Sequence, residues 1–400
     1  MSTFRVPILG GECEVSLPDG WQVGWYGVDH PGLAPVQIRE RFARPIGTPR
    51  IRELAEGKKT VAIIVDDITR PQRAYHVLPM VLGELEAAGI QEDDIVVVAA
   101  LGAHRPMTQT EFRLKVGDAV VDRFRVVNPS LYEHQVRLGV TERGTPVEVC
   151  REVAEADLRI GVGMVIQHPS AGWSSGAKLI LPGVASMETI VAHHMRKYPK
   201  TALGQSENEF RHDMEAVARI ARLDVFVASV INGRLEPVEV CVGDVVAAHR
   251  AACKVAAEVY FLQAPAGVDA AIISGYPMDR EFRQAAKALA PGAGINTVRN
   301  GGTILFMADG PDGYGYHALD YREGRAPVFK QRTREALGDR TLLVYCPHVG
   351  PKECYTRLPD EAILFRNLDE AVAALIARHP GPTMVNIFPH GGISLLARSS

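Results

Sequence analysis

Four hundred residues, 46% hydrophobic and 23% charged, are enough for two or three domains with cores of their own. A net charge of −3 gives no basic surface for nucleic acid, and no apolar run reaches the length of a membrane span. The first residues lack a charged-then-apolar leader and the six cysteines are scattered without a C-x-x-C pair, so a cytoplasmic chain with reduced thiols is expected.

Residues 4–8 and 12–17 read as short strands, followed by a polar, proline-rich stretch to about residue 60. Residues 61–65 are then all apolar and end in Asp66-Asp67-Ile68-Thr69-Arg70-Pro71. A helix is predicted over 75–88, with Pro79 tolerable only near its first turn. The next strand, 94–100, ends in Gly102-Ala103-His104-Arg105-Pro106, and Thr108 caps a helix over 109–116. A third apolar run, 159–167, leads to His168. A Gly/Ser loop, Lys178 and an apolar turn follow, and then a helix from Met187 to about Tyr198, with Ser186 as its N-cap, that carries His193 and His194. Continuous apolar runs mark buried parallel strands, and open α/β sheets bind ligands at the carboxyl ends of their strands. The three polar clusters are therefore expected to converge on one site.

Residues 205–262 read as helical with a strand at 225–231, and 263–267 as a linker. Strands at 270–274, 302–308, 340–345 and 383–387 then form a second α/β set with polar strand ends of its own. The expected fold class is α/β: two lobes with mostly parallel sheets and a cleft between them. The first domain is expected over 1–264 and the second over 268–400, the last residues packing back on the first. Arg280 and Arg283, beside Tyr276, are read in two ways: as solvated helix charges, the preferred reading, or as a hint of a second anion on the ligand.

Lys178 sits in Ser174-Ser175-Gly176-Ala177-Lys178 and is followed by Leu179, so this is not a phosphate loop of the G-K-[ST] kind. An S-x-x-K match without S-D-N or K-T-G does not make a β-lactamase. The lysine is read in two ways: a surface loop residue, or a partly buried amine whose lowered pKa makes it a nucleophile. His104 and His168, at parallel strand ends, suit acid/base work. His193 and His194 are adjacent on a helix and cannot face the same way, and a zinc site from His168, His193 and His194 has no spacing support. Arg70 and Arg105 stand where a guanidinium fork could take a carboxylate or phosphate.

These motifs together resemble the nickel-dependent lactate racemase family over nearly the whole chain. The resemblance rests on D-x-T-R-P at Asp67–Pro71, G-x-H-R-P at Gly102–Pro106, His168-x9-Lys178 and K-L-[IV]-x-P-G at Lys178–Gly183. It continues in E-T-I…H from Glu188 to His194 and Y-P-x-D…Q-A-x-K from Tyr276 to Lys287. It implies a 2-hydroxy-acid racemase or epimerase using nickel-pincer nucleotide, a pyridinium mononucleotide that holds nickel through two sulfurs and a ring carbon. Lys178 would carry this cofactor through a thioamide bond, with Ser175, Gly176 and Asp67 beside it, and His194 would complete the plane of the metal. His104 and His168 would be the acid/base pair, with Arg70, Gln284, Lys287 and Tyr276 on the substrate side. Ser175 departs from the family's frequent glycine, and Ala103 from its common threonine.

The Cα hydrogen of a 2-hydroxy acid is too weakly acidic for histidine alone. The resemblance implies its removal as hydride while a histidine takes the hydroxyl proton, which leaves a planar 2-oxo acid. The expected partners are the small acid substrate and, transiently, cofactor-synthesis enzymes, with no nucleic acid and no membrane. The alternatives are a Schiff-base lyase acting through Lys178 and a non-catalytic nucleotide-binding protein of the same fold.

Overall fold

The computed structural model describes residues 1–289, 294–323 and 326–397. The chain forms two compact units, His30–Glu258 and Met1–Asp29 with Val259–Ser400.

The first unit is built on six strands in the order Pro237–Gly243, Val225–Ile231, Leu158–Met164, Val61–Asp66, Ile95–Ala100 and Arg125–Val127. Only Pro237–Gly243 pairs antiparallel; the other neighbours are parallel. Every residue of the three central strands Val225–Ile231, Leu158–Met164 and Val61–Asp66 is buried, which is why they read as unbroken apolar runs. Val61, Ile63, Val65, Ile160 and Val162 share a core with Leu78, Val81 and Leu85 of the helix Leu78–Ala87. Burying each such side chain contributes about 1.5–3 kcal/mol, so the sheet is a firm base for the loops at its carboxyl edge.

In the second unit a six-stranded, all-parallel sheet runs Ile363–Phe365, Thr341–Tyr345, Val298–Met307, Val268–Ser274, Met384–Phe388, Gln22–Trp25. Ile273, Phe306 and Val344 belong to the core on one face. Ile272, Leu305 and Leu343 meet Val6, Val15 and Leu17 of the hairpin Ser2–Ile8/Gly11–Leu17 on the other.

This pairing corrects the expected domain boundaries. Met1–Asp29 belongs with the later residues, because Gln22–Trp25 extends their sheet and the hairpin fills one of its faces. Contacts between the two ends of a chain leave no local trace in sequence. The division after Glu258 falls in the last turn of the helix Val245–Tyr260, upstream of the 263–267 linker. Leu395–Leu396 pairs with Phe261–Leu262 inside this same unit, and 398–400 lie outside the described residues.

The remaining differences are local. The third apolar strand stops at Met164, and Gln167–His168 instead forms a short ribbon with Gly172–Trp173. The helix starting at Met187 ends at His194, well before Pro199, which disfavours helical backbone just ahead of it. The strand Pro237–Gly243 lies in a stretch read as helical. Among the described residues no helix is long and apolar enough to cross a membrane.

Candidate active site

The strand Val61–Asp66 delivers two carboxylates to the sheet's carboxyl edge. Asp66 accepts the backbone N–H of Met164 at 2.7 Å, and burial raises its pKa above the ordinary carboxylate range. Asp67 accepts Thr69 N–H at 3.1 Å and Thr69 Oγ1–H at 2.7 Å on one oxygen, and the Nδ1–H of His104 on the other. Burial opposes ionisation of Asp67, but His104, Arg70 and these hydrogen bonds outweigh it and hold the carboxyl well below its ordinary range. Arg70 Nη1 donates to Thr69 Oγ1 at 3.0 Å. Beneath them the amine of Lys115 donates to the carbonyls of Arg70 (2.8 Å) and Gln72 (3.1 Å). Burial brings it down to about 8 against the pull of Asp66 and Asp67.

The Gly/Ser loop after the strand Leu158–Met164 is tied down from inside. Ser174 Oγ donates to Met164 O at 2.8 Å and accepts Ile166 N–H at 2.9 Å. His168 Nδ1 accepts the backbone N–H groups of Ser170 (3.2 Å) and Ala171 (3.1 Å). Arg211, fully buried on the helix Glu209–Ile220, donates to the carbonyls of Ala171 (3.1 Å), Ser175 (3.4 Å) and Trp173. His249 Nε2–H reaches Ser174 O at 2.9 Å. Ser175 has φ 57° and ψ −161°, a backbone region almost reserved for glycine, and its buried Oγ has no hydrogen-bond partner among the described residues. A Cβ on Gly163 would stand 2.1 Å from that Oγ and 2.9 Å from an Asp66 oxygen, so only glycine leaves room for both side chains.

Lys178 lies in the turn Gly176–Leu179. Its side chain keeps some exposure, yet burial, Arg211 and Arg70 push its amine down to about 7 against the pull of Asp66. Gly102 N–H donates to Gly183 O at 2.8 Å and ties the His104 loop to the turn after Lys178. Ser186 Oγ caps the helix Met187–His194 by accepting Thr189 N–H at 3.1 Å. His194, half-buried, donates Nδ1–H to Ile190 O at 3.1 Å, which leaves its lone pair on Nε2. His193 is fully buried; it donates Nε2–H to Phe210 O at 3.0 Å, and burial holds it at about 4.

The structure thus joins Asp67, Arg70 and His104 in one network and sets Ser175, Gly176 and Lys178 in one loop beside Asp66. His168 and His194 stand on the segments before and after that loop. Arg105 is committed elsewhere: its fork meets Glu111 at 2.6 and 2.8 Å, next to the Thr108 cap. Tyr276, Gln284 and Lys287 belong to the second unit, where Lys287 Nζ donates to Gln284 Oε1 and Tyr276 N–H to Ser274 Oγ at 3.1 Å. Arg283 is no solvated charge; it is 5% exposed and paired with Asp320. Among the described residues no group of three or more His, Cys, Asp or Glu side chains is placed to hold a metal ion.

Five polar residues of this framework escaped sequence reasoning: Asp66, Thr69, Lys115, Arg211 and His249. Asp66 and Thr69 lay inside a motif already singled out. Lys115 and Arg211 sit in ordinary amphipathic helices and carried no signal.

Residues 11–204 match the family described as the lactate racemase N-terminal domain. The chain is 32% identical over 382 residues to a lactate racemase of Lactiplantibacillus plantarum, covering 88% of this chain and 89% of that protein. It is 31% identical over 285 residues to a lactate racemase of Thermoanaerobacterium thermosaccharolyticum, a match that spans 70% of this chain and 66% of the relative. Among solved structures, the lactate racemase apoprotein of Thermoanaerobacterium thermosaccharolyticum superposes with a TM-score of 0.76 at 24% identity, over 99% of this chain and all of that one. A Thermotoga maritima protein superposes with a TM-score of 0.64 at 16% identity, over 91% and 98% of the two chains. At those identities the two structures speak for the α/β fold alone. The long match at 32% identity settles the family: this chain belongs to the lactate racemases, a family of isomerases.

Proposed function

We propose that the chain racemises or epimerises a 2-hydroxy acid, with a nickel-pincer nucleotide joined to Lys178 and His194 as the protein ligand of its metal. The observation that carries this reading is the 32% identity over 382 residues to a lactate racemase, with Lys178 on a glycine–serine turn where burial, Arg211 and Arg70 bring its amine down to about 7. The surroundings fit the group. Ser175 Oγ is a buried hydroxyl that has no partner among the described residues, and Arg211 sets a positive charge behind the loop that a phosphate would face. His194 has the arrangement of a metal-binding histidine, with Nδ1–H on a carbonyl and the lone pair on Nε2.

When bound, this cofactor would supply hydride-accepting and hydride-donating chemistry at Cα. The chain's own residues do the rest. His104 takes the hydroxyl proton at Nε2, with Asp67 stabilising the resulting imidazolium, and His168 faces the oxygen in the other enantiomer. Arg70 binds the carboxylate, which is positioning catalysis. Gln284, Lys287 and Tyr276 are proposed on the substrate side from the family motif.

The test is protein co-produced with the cofactor-synthesis enzymes. Denatured protein should carry the nucleotide's added mass, native protein should carry one nickel, and one pure enantiomer of a 2-hydroxy acid should become a racemate on chiral chromatography. A near-neutral Lys178 would also serve a Schiff-base lyase. Borohydride trapping of a substrate adduct on Lys178, without nickel, would replace the racemase reading by that one.

A further inference from the structure

The two histidines of this site are not equivalent, because their neighbours fix opposite tautomers. An ionised carboxylate only accepts, so the His104 nitrogen that touches Asp67 Oδ2, Nδ1, carries a proton, and in neutral His104 Nε2 carries the lone pair. A backbone N–H only donates, so the His168 nitrogen that meets two of them, at 3.2 and 3.1 Å from Ser170 and Ala171, is the bare one. In neutral His168 the proton therefore sits on Nε2. Moving it to Nδ1, or adding a second proton there, would set an N–H against two N–H donors.

We propose that Asp67 and the Ser170–Ala171 turn are positioning elements that hold His104 as a proton acceptor and His168 as an Nε2–H donor in the resting protein. The racemase role of this asymmetry rests on the function proposed above. One enantiomer presents its hydroxyl proton to the Nε2 lone pair of neutral His104. The other meets an N–H, and His168 accepts its proton at Nε2 only after its own proton has moved to Nδ1 and the turn has released that nitrogen. The overall equilibrium constant of a racemisation is unity, so the two enantiomers share one kcat/KM. The asymmetry therefore belongs to the resting state, where it can be read directly.

The measurement is a long-range proton–nitrogen correlation spectrum of the full chain labelled with 15N-histidine, at pH 8, which separates bare from protonated ring nitrogens. Single His104→Gln and His168→Gln substitutions assign the two rings by the pattern each removes. The expected result is His104 protonated on Nδ1 alone and His168 on Nε2 alone. The same tautomer in both rings, a doubly protonated His104 or a His168 protonated on Nδ1 would overturn the proposal. Asp67→Asn should then move the His104 proton to Nε2 and leave His168 unchanged; an unmoved proton would remove Asp67 from the role. The wild-type spectrum decides the main point even if that variant does not fold. Because the spectrum needs no turnover, loss of the racemase reading and loss of this proposal are separate outcomes.

Discussion

Asp67 accepts the Nδ1–H of His104 where both side chains are nearly closed to solvent, 4% and 10% exposed. The dyad links stability to pH as well as orienting a base. The folded-state pKa of Asp67 is depressed, so its stabilising contribution is fully present above the ordinary value of 3.8 and is lost as the pH falls below it. Asp67→Asn should therefore unfold at a pH less sensitive to acid than the wild type, with the two stabilities converging as the pH falls below 3.8. Chemical denaturation at a series of pH values checks this. Parallel pH dependences would mean that Asp67 is not ionised against His104.

Lys178 gives the same slope with pH for the opposite reason, as a burial penalty that is relieved when the amine loses its proton. Its pKa falls from 10.5 to about 7 on folding, so between those values the unfolded chain binds more protons and stability rises with pH. Lys178→Met removes the group that burial penalises. It should raise Tm at pH 7, by a margin that shrinks as the pH approaches 10.5, and it should abolish covalent retention of the nucleotide. Thermal melts across that range and intact mass after denaturation are the measurements. A variant that keeps the added mass would move the tether to another residue.

Ser175 occupies a glycine conformation with a side chain attached. Backbone in this region costs about 1–3 kcal/mol for a residue with a Cβ. Ser175→Gly should therefore raise Tm by a few degrees, with a further small gain from removing a buried hydroxyl that has no partner among the described residues. If that hydroxyl serves the cofactor phosphate, the same variant should retain less nucleotide under identical loading. Higher stability with unchanged retention would leave the phosphate to the backbone and to Arg211.

The strand ends carrying Asp67 and His104 were legible because a sheet buried on both faces writes itself as unbroken apolar runs, and polar residues that interrupt such runs stand out; His168 was found by the same signal, although it lies in a short ribbon beyond the end of its strand. The helix bearing His194 was legible from its serine cap. Arg211 was not: on an amphipathic helix a buried arginine looks like a surface one until the loop carbonyls it serves are seen. The place of residues 1–29 was hidden for another reason. The partner of Gln22–Trp25 is Met384–Phe388, and strand pairing over that separation has no sequence period. The commitment of Arg105 to Glu111 could have been anticipated, since the capping box at Thr108 already placed that glutamate at the helix start.

His193 and His194 are neighbours with opposite duties, and their substitutions should separate stability from metal. His193 is fully buried and its Nε2–H is spent on Phe210 O at 3.0 Å. Its Nδ1 also stands 3.4 Å from Nδ1 of His194, whose proton it can accept as a second, weaker partner beside Ile190 O. His193→Ala leaves a buried carbonyl without its donor, which costs about 1–3 kcal/mol, and opens a cavity beside Phe210. The expected outcome is a lower Tm with most nickel retained in the fraction that folds, because Ile190 O still orients His194. His194→Ala removes a half-exposed ring whose lone pair points away from its own helix, so Tm should change little while nickel is lost. Metal analysis and thermal melts on the same preparations test both arms. Full nickel in the His194 variant, or nickel lost from a His193 variant that melts like the wild type, would exchange the roles of the two residues.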